Sequence, residues 1–197
     1  MRQRTAGRSW AVAALVVLGL TAGGCSGGSD DDEAGDGDPT SSASTASEAV
    51  VTMAKLGERA GRLSPARRQQ VVDQVQKVVD GWIEAAYLGG DYPRTDFADA
   101  WPGFTAGAKA DAKRDGDLMS NRDIGASIDG VEPVKRAVTV DVLSVDGRPA
   151  GVTAHVLLRF KTTGDPVKDV RVVGRLYLTK GKQGWQVFGY DVTKDAR

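Results

Sequence analysis

One cysteine and one histidine in 197 residues leave little material for side-chain chemistry. A zinc site built from Cys and His needs three or four such ligands, and Cys25 and His155 cannot supply them. His155 alone also rules out a histidine pair. From residue 45 onward there is neither a Gly-x-Ser-x-Gly elbow nor a phosphate-binding glycine loop. Excess charge of either sign is missing too: 26 Lys and Arg balance 26 Asp and Glu. From Ala49 onward there are 23 bases and 19 acids, a surplus too small to point to nucleic acid. No apolar run approaches the roughly 20 residues of a permanent membrane-spanning helix.

What is present begins with a short secretion signal. Arg2, Arg4 and Arg8 precede the apolar run from Trp10 to Leu20, and Thr21-Ala22-Gly23-Gly24 leads to Cys25. A basic start, a short apolar stretch and small residues at the cut site define such a signal. With a cysteine closing it, the layout resembles a bacterial lipoprotein signal peptide over residues 1–24, with Cys25 as the lipidated first mature residue. That resemblance implies a chain outside the cytoplasm, held at the outer leaflet of the cytoplasmic membrane by acyl chains. Each buried methylene of such a chain contributes about 0.8 kcal/mol. Two alternatives remain open at this point: an ordinary signal cleaved near Ala22, leaving Cys25 free, and an uncleaved anchor.

Residues 25–44 form the next unit. Ser26 to Glu48 holds seven acids and no base, and Ser26 to Ser44 is mostly Gly, Ser and Asp. Such a stretch cannot bury enough apolar surface to offset the entropy of ordering. It reads as an acidic tether with a reach of roughly 24 Å. Asp30-Asp31-Asp32 is not expected to hold a metal, since nothing would fix those carboxylates in a cage.

Residues 45–197 have the length of one domain. The helices are expected within residues 45–121. Thr45-Ala46-Ser47-Glu48 fits a capping box, and a helix running to about Gly61 would place Val50, Met53 and Ala54 on one side, weakened by Gly57. The strongest helical pattern follows Ser64-Pro65, a cap and a proline at the first helical position. Val71, Val72, Val75, Val78, Val79, Trp82, Ile83, Ala86 and Tyr87 fall in steps of three and four, one wide stripe. Gly89-Gly90 ends it, and Gly81 within it implies close packing or a bend. A short helix is expected over Asp96–Trp101, stopped by Pro102, and another through Phe104, Ala108, Ala112 and Leu118. Tyr92, Phe97, Trp101 and Phe104 read as core side chains.

Over residues 131–193 the period becomes two. Val138, Val140 and Val142 alternate with polar residues up to the Asp146-Gly147 turn. Val152, Ala154, Val156, Leu158 and Phe160 form the next apolar set, then Val170, Val172, Gly174, Leu176 and Leu178, then a strand from Trp185 to Val192. Short connections imply a four-stranded antiparallel meander, and Val131–Arg136 would add an edge strand. Helices first and sheet last is an α+β order, with the helical stripe packed on the aliphatic sheet face.

This order, closed by Gly184-Trp185-Gln186-Val187-Phe188-Gly189-Tyr190-Asp191-Val192, resembles the nuclear-transport-factor-two-like fold, in which a long helix lies across a cone-shaped sheet and the last strand often carries Trp-x-Val. With the lipoprotein signal, the chain is similar to small actinobacterial envelope lipoproteins and to proteins associated with mammalian-cell-entry lipid transporters. Members of that superfamily include isomerases, dehydratases, cyclases and non-catalytic binding domains, so fold alone does not choose a function. A steroid-isomerase-like site would need a carboxylate base and phenolic donors inside the cone. Asp141, Asp191, Tyr87, Tyr92 and Tyr177 are the available parts, and alternation places Asp141 on the opposite face.

The half-polar sheet face is the better candidate. It gathers Leu157, Arg159, Arg171, Val173, Arg175 and Tyr177 beside His155. Arginine and tyrosine among exposed aliphatics are typical of protein contact surfaces; a solvated face whose arginine stems cover apolar neighbours is the plain alternative. The expected function is a non-catalytic envelope lipoprotein that binds or helps assemble a partner protein, or self-associates, with no cofactor, metal or nucleic acid. A lipid or small-molecule carrier using the cone interior is the second reading, and a cone-fold isomerase or cyclase the third.

The lipid anchor has a direct test. Intact-mass measurement of chain extracted from membranes should show a mature form beginning at Cys25 with acyl chains attached, and Cys25→Ser should appear in the medium or as uncleaved precursor. An unmodified mature wild-type chain would refute it.

Overall fold

A computed structural model describes residues 50–197, so Cys25, the signal, the tether and the Thr45–Glu48 capping box lie outside the described residues. The described chain is α+β. Strand β1 (Met53–Ala60) precedes helix α1 (Pro65–Ile83), which widens into a π turn at Glu84–Leu88. Helices α2 (Ala106–Arg114) and α3 (Gly116–Met119) follow, then strands β2 (Gly130–Val145), β3 (Arg148–Thr163), β4 (Asp169–Gly181) and β5 (Gly184–Ala196). The five strands form one sheet in chain order, antiparallel except that β1 runs parallel to β2.

Helix α1 starts at the Ser64-Pro65 signal. The Ser64 hydroxyl accepts from the Arg67 N–H at 3.4 Å, and Pro65 occupies the first turn. Val71, Val72, Val75, Val79, Trp82 and Ile83 are buried, and Ala86 and Tyr87 continue the stripe through the π turn. They meet the inner sheet face in one core: Val138, Val140 and Val142 from β2, Val152 to Phe160 at alternate positions of β3, and Val170, Val172, Leu176 and Leu178 from β4. Trp82 meets Tyr87 edge-on, ring centroids 5.4 Å apart, and Tyr87 meets Phe160 at 6.2 Å. Phe97, Trp101 and Phe104 are also buried, while Tyr92 is half-buried. Gly81 faces Pro102, where an added Cβ would sit at an ordinary 3.6 Å. The glycine is therefore not forced by packing.

Three expectations are corrected. First, the segment expected to continue a helix to Gly61 is β1. Its Ala54 and Leu56 pack against the core while Met53 and Lys55 are exposed, an alternation of period two. Without β1, the edge of β2 from Ala137 to Leu143 would lack its hydrogen-bonding partner. A short helix containing Gly57 has little stability of its own to compete with that ladder. The sheet is accordingly mixed and not wholly antiparallel. Second, Asp96–Trp101 holds a turn at Ala98–Asp99, with the Asp96 carboxylate accepting from the Ala98 N–H at 2.8 Å, a local bond that competes with helix. Third, Val131–Arg136 is not a separate edge strand but the first part of β2. The register shifts between Pro133 and Lys135, so a proline with no N–H to donate sits at a bulge.

Two other features set which residues face outward. Asp146 and Gly147 both take positive φ, 50° and 69°, the turn that matches strand twist in a two-residue hairpin. In β5 the register shifts opposite Tyr177 and Leu178, so that Leu178 pairs with Val187, Tyr177 pairs with Gly189, and Phe188 is the extra residue. This bulge lets Trp185 and Val187 point inward and still turns Tyr190 and Val192 inward beyond it.

Buried polar groups tie the helical segment to the sheet. Lys194, its side chain 4% exposed, donates to the Asp117 and Ser120 carbonyls at 3.0 and 2.8 Å and to the Asp123 carboxylate. Burial lowers the pKa of this ammonium, while Asp123 acts in the opposite sense. Arg136 on β2 holds Asp80 and Glu84 on α1 and its π turn.

Because Trp82 is fully buried and donates to the Met119 carbonyl at 3.1 Å, Trp82→Ala should cost about 3–5 kcal/mol. Gly81→Ala should instead stabilise, by about 0.5–1 kcal/mol, as an exchange inside a helix with room for the methyl. Denaturant unfolding of both variants checks the pair; equal stability of Trp82→Ala and wild type would contradict the helix-on-sheet core.

Candidate functional site

With the inner face dry, alternation fixes the outer face, and cross-strand register sorts it into rows. Lys135, Arg159, Arg171 and Asp195 stand opposite one another across β2, β3, β4 and β5. The neighbouring row on the same face is Met53, Ala137, Leu157, Val173 and Thr193, from β1 to β5. Lys55, Thr139, His155, Arg175 and Asp191 form the third, and Asp141, Thr153, Tyr177 and Gly189 the fourth. Leu157, Arg159, Arg171, Val173, Arg175 and Tyr177 are therefore brought together, as the sequence reading expects. Arg159, Arg171 and Arg175 are exposed, and Leu157, Val173 and Tyr177 are half-buried.

The charges in the first row are not compensated in the usual way. Like charges directly opposite in a sheet are destabilising, yet Lys135, Arg159 and Arg171 are consecutive. Among the described residues, none of these three, nor Lys55 or Arg175, forms a salt bridge. A groove of about 500 Å³ runs between Met53, Lys55, Lys135, Ala137, His155 and Leu157. A second, of about 380 Å³, lies between Glu58, Asp141, Thr153, Tyr177 and Phe188. Phe188 is 55% exposed and packs on Tyr177 with ring centroids 6.4 Å apart.

Asp141 and His155 separate the two grooves. His155 Nε2 lies 2.7 Å from one Asp141 oxygen, and the other accepts from the Glu58 N–H at 2.7 Å. The carboxylate reaches β1 over Gly57, where an added Cβ would stand 2.2 Å from it. Gly57, which weakens a helix, is thus the residue that admits this carboxylate and lets β1 dock.

Three comparisons with known proteins, by family model, by sequence and by structure, found no match.

The five parts of an isomerase-like site are divided between the two faces of the sheet. Tyr87 is buried and donates to the Leu118 carbonyl at 2.7 Å; burial first, and then Asp123, push its phenol well above the usual range. Tyr92 donates to the Tyr87 carbonyl at 2.8 Å and accepts from Asn121, and burial raises it as well. Asp141, Asp191 and Tyr177 stand on the outer face. The inner volume beside Tyr87 is occupied by Trp82, Phe104 and Phe160. Among the described residues, no three His, Cys, Asp or Glu side chains are placed to hold a metal, and no helix is long and apolar enough to cross a membrane.

Sequence reasoning missed Met53 and Lys55, because their segment reads as helix, and Lys135, because Val131–Arg136 reads as a separate strand. It also missed Phe188. A signal for that bulge exists: strict alternation from Val187 would bury Asp191 and expose Val192.

Proposed function

We propose that this chain is a non-catalytic envelope lipoprotein, anchored by Cys25 at the outer leaflet of the cytoplasmic membrane, whose outer sheet face docks a partner protein. The observation that carries the reading is the set of five cations, Lys55, Lys135, Arg159, Arg171 and Arg175, that have no ion-pair partner among the described residues and surround Leu157 and Val173. Three of them, Lys135, Arg159 and Arg171, stand consecutively in register, which opposes strand pairing and does nothing for the fold. It supplies donors and apolar area to a docking partner, and arginine beside aromatic side chains is the usual composition of binding hot spots. The packed aromatic interior supports docking on the surface over carriage of a ligand inside. Kinship with the nuclear-transport-factor-two-like fold belongs to the same proposal, resting on the order of elements and the closing Trp185-Gln186-Val187 strand. On this view the domain is a cone-fold scaffold of the kind found beside lipid transporters, used for assembly.

The test is a pull-down from native membranes with wild type and an Arg171→Glu/Arg175→Glu double variant at matched levels. Both positions are exposed, so the variant should melt like wild type and lose the partner. Hot-spot losses of about 2 kcal/mol each correspond to roughly thirtyfold weaker binding per site. Undiminished recovery with the variant would remove this face from consideration.

A further inference from the structure

The rows of the outer face describe the partner's shape and charge. Resting on the docking reading above, we infer that the occupant is an amphipathic α-helix with an apolar ridge flanked on both sides by Asp or Glu. The apolar row Met53, Ala137, Leu157 and Val173 crosses four strands, about 14 Å at the usual strand spacing. Cations border it on one side through Lys135, Arg159 and Arg171, and on the other through Lys55 and Arg175, with Thr139 and His155 between them in the row. Along β3 the two borders lie four residues apart, from His155 to Arg159, or about 13–14 Å. A helix with its side chains is about 10–12 Å across, so acids on its two flanks would stand opposite the two cationic borders. At about 1.5 Å per residue, some ten residues of helix cover the apolar row. The inner face sets the precedent, since α1 already packs against β1, β2, β3 and β5.

Charge decides against a lipid surface. Both cationic borders end in acids on β5, Asp195 and Asp191. A continuous anionic surface laid on this face would oppose both carboxylates. A protein helix can present acids over β1 to β4 and stop, or change sign, over β5. The grooves are also open, with exposed rims at Met53, Lys55 and Lys135, so an acyl chain would keep much of its surface in water.

The experiment uses the purified full chain and synthetic helical peptides of about five turns. One peptide carries a leucine ridge flanked by glutamates, the second the same ridge flanked by lysines, and the third the glutamates with glutamine in place of the leucines. Vesicles of anionic phosphatidylglycerol form a fourth arm. The first peptide should bind at least about tenfold tighter than the second and third, and weaken as salt rises from about 0.05 to 0.5 M. Leu157→Asp and Arg171→Glu should each reduce its affinity about tenfold, with Arg171→Glu deciding the matter if Leu157→Asp fails to fold. No binding of the first peptide, equal binding of the first and second, or indifference to Arg171→Glu would overturn the inference, as would vesicle binding that is lost in Arg171→Glu while the peptide is ignored. Loss of the membrane partner in the Arg171→Glu/Arg175→Glu variant without binding of the acidic peptide would leave the docking reading standing and the helix assignment wrong.

Discussion

One face of the sheet must be dry, and most of the domain is arranged around that requirement. The side chains of Val138 to Val142, Val152 to Phe160 and Val170 to Leu178 at inward positions have to be covered, and α1 with Trp82 and Tyr87 is the cover. Because side chains alternate along a strand, fixing the inward set fixes the outward set as well. The rows of cations and aliphatics on the outer face are thus a consequence of the core. The bulge at Phe188 keeps Tyr190 and Val192 in the core despite the extra residue, and so presents Phe188 to solvent beside Tyr177.

The same constraint explains what was legible in the sequence. Burial on one side writes a period into the residues, 3.6 along α1 and two along β2 to β5, and both periods are readable without a structure. The six outer-face residues from Leu157 to Tyr177 follow from alternation alone. β1 was not legible, because its conformation is decided by the open edge of β2, some eighty residues away in the chain. Met53–Ala60 has neither a clean helical stripe nor the β-branched run of a confident strand, so pairing with distant residues settles the matter. Gly57 shows how far a local reading reaches: it argues against helix, but its use, admitting the Asp141 carboxylate, appears only when β1 and β2 are adjacent.

Polar groups inside the domain serve the covering of that face. Lys194, Tyr87 and Trp82 each reach main-chain carbonyls in the segment from Asp117 to Ser120, closing α3 and its following turn against β5 and α1. Arg136 ties the same C-terminal end of α1 to β2 through the carboxylates of Asp80 and Glu84. These cations are paired and shielded. Among the described residues the five on the outer face have no such partner and are exposed, although the domain carries acids enough to pair them. That contrast within one domain, buried cations with partners and outer-face cations without, is the physical basis for reading the outer face as a surface that acts on something else.

The most direct test places a photo-crosslinking residue at Leu157 or, as a control, at Lys77 on the exposed side of α1, in the full chain made in its native cells. The account predicts a discrete crosslinked product from position 157 that is absent from position 77 and disappears when Arg171 is changed to Glu. No product from 157, or equal products from both positions, would contradict the claim that the outer sheet face is where this protein works.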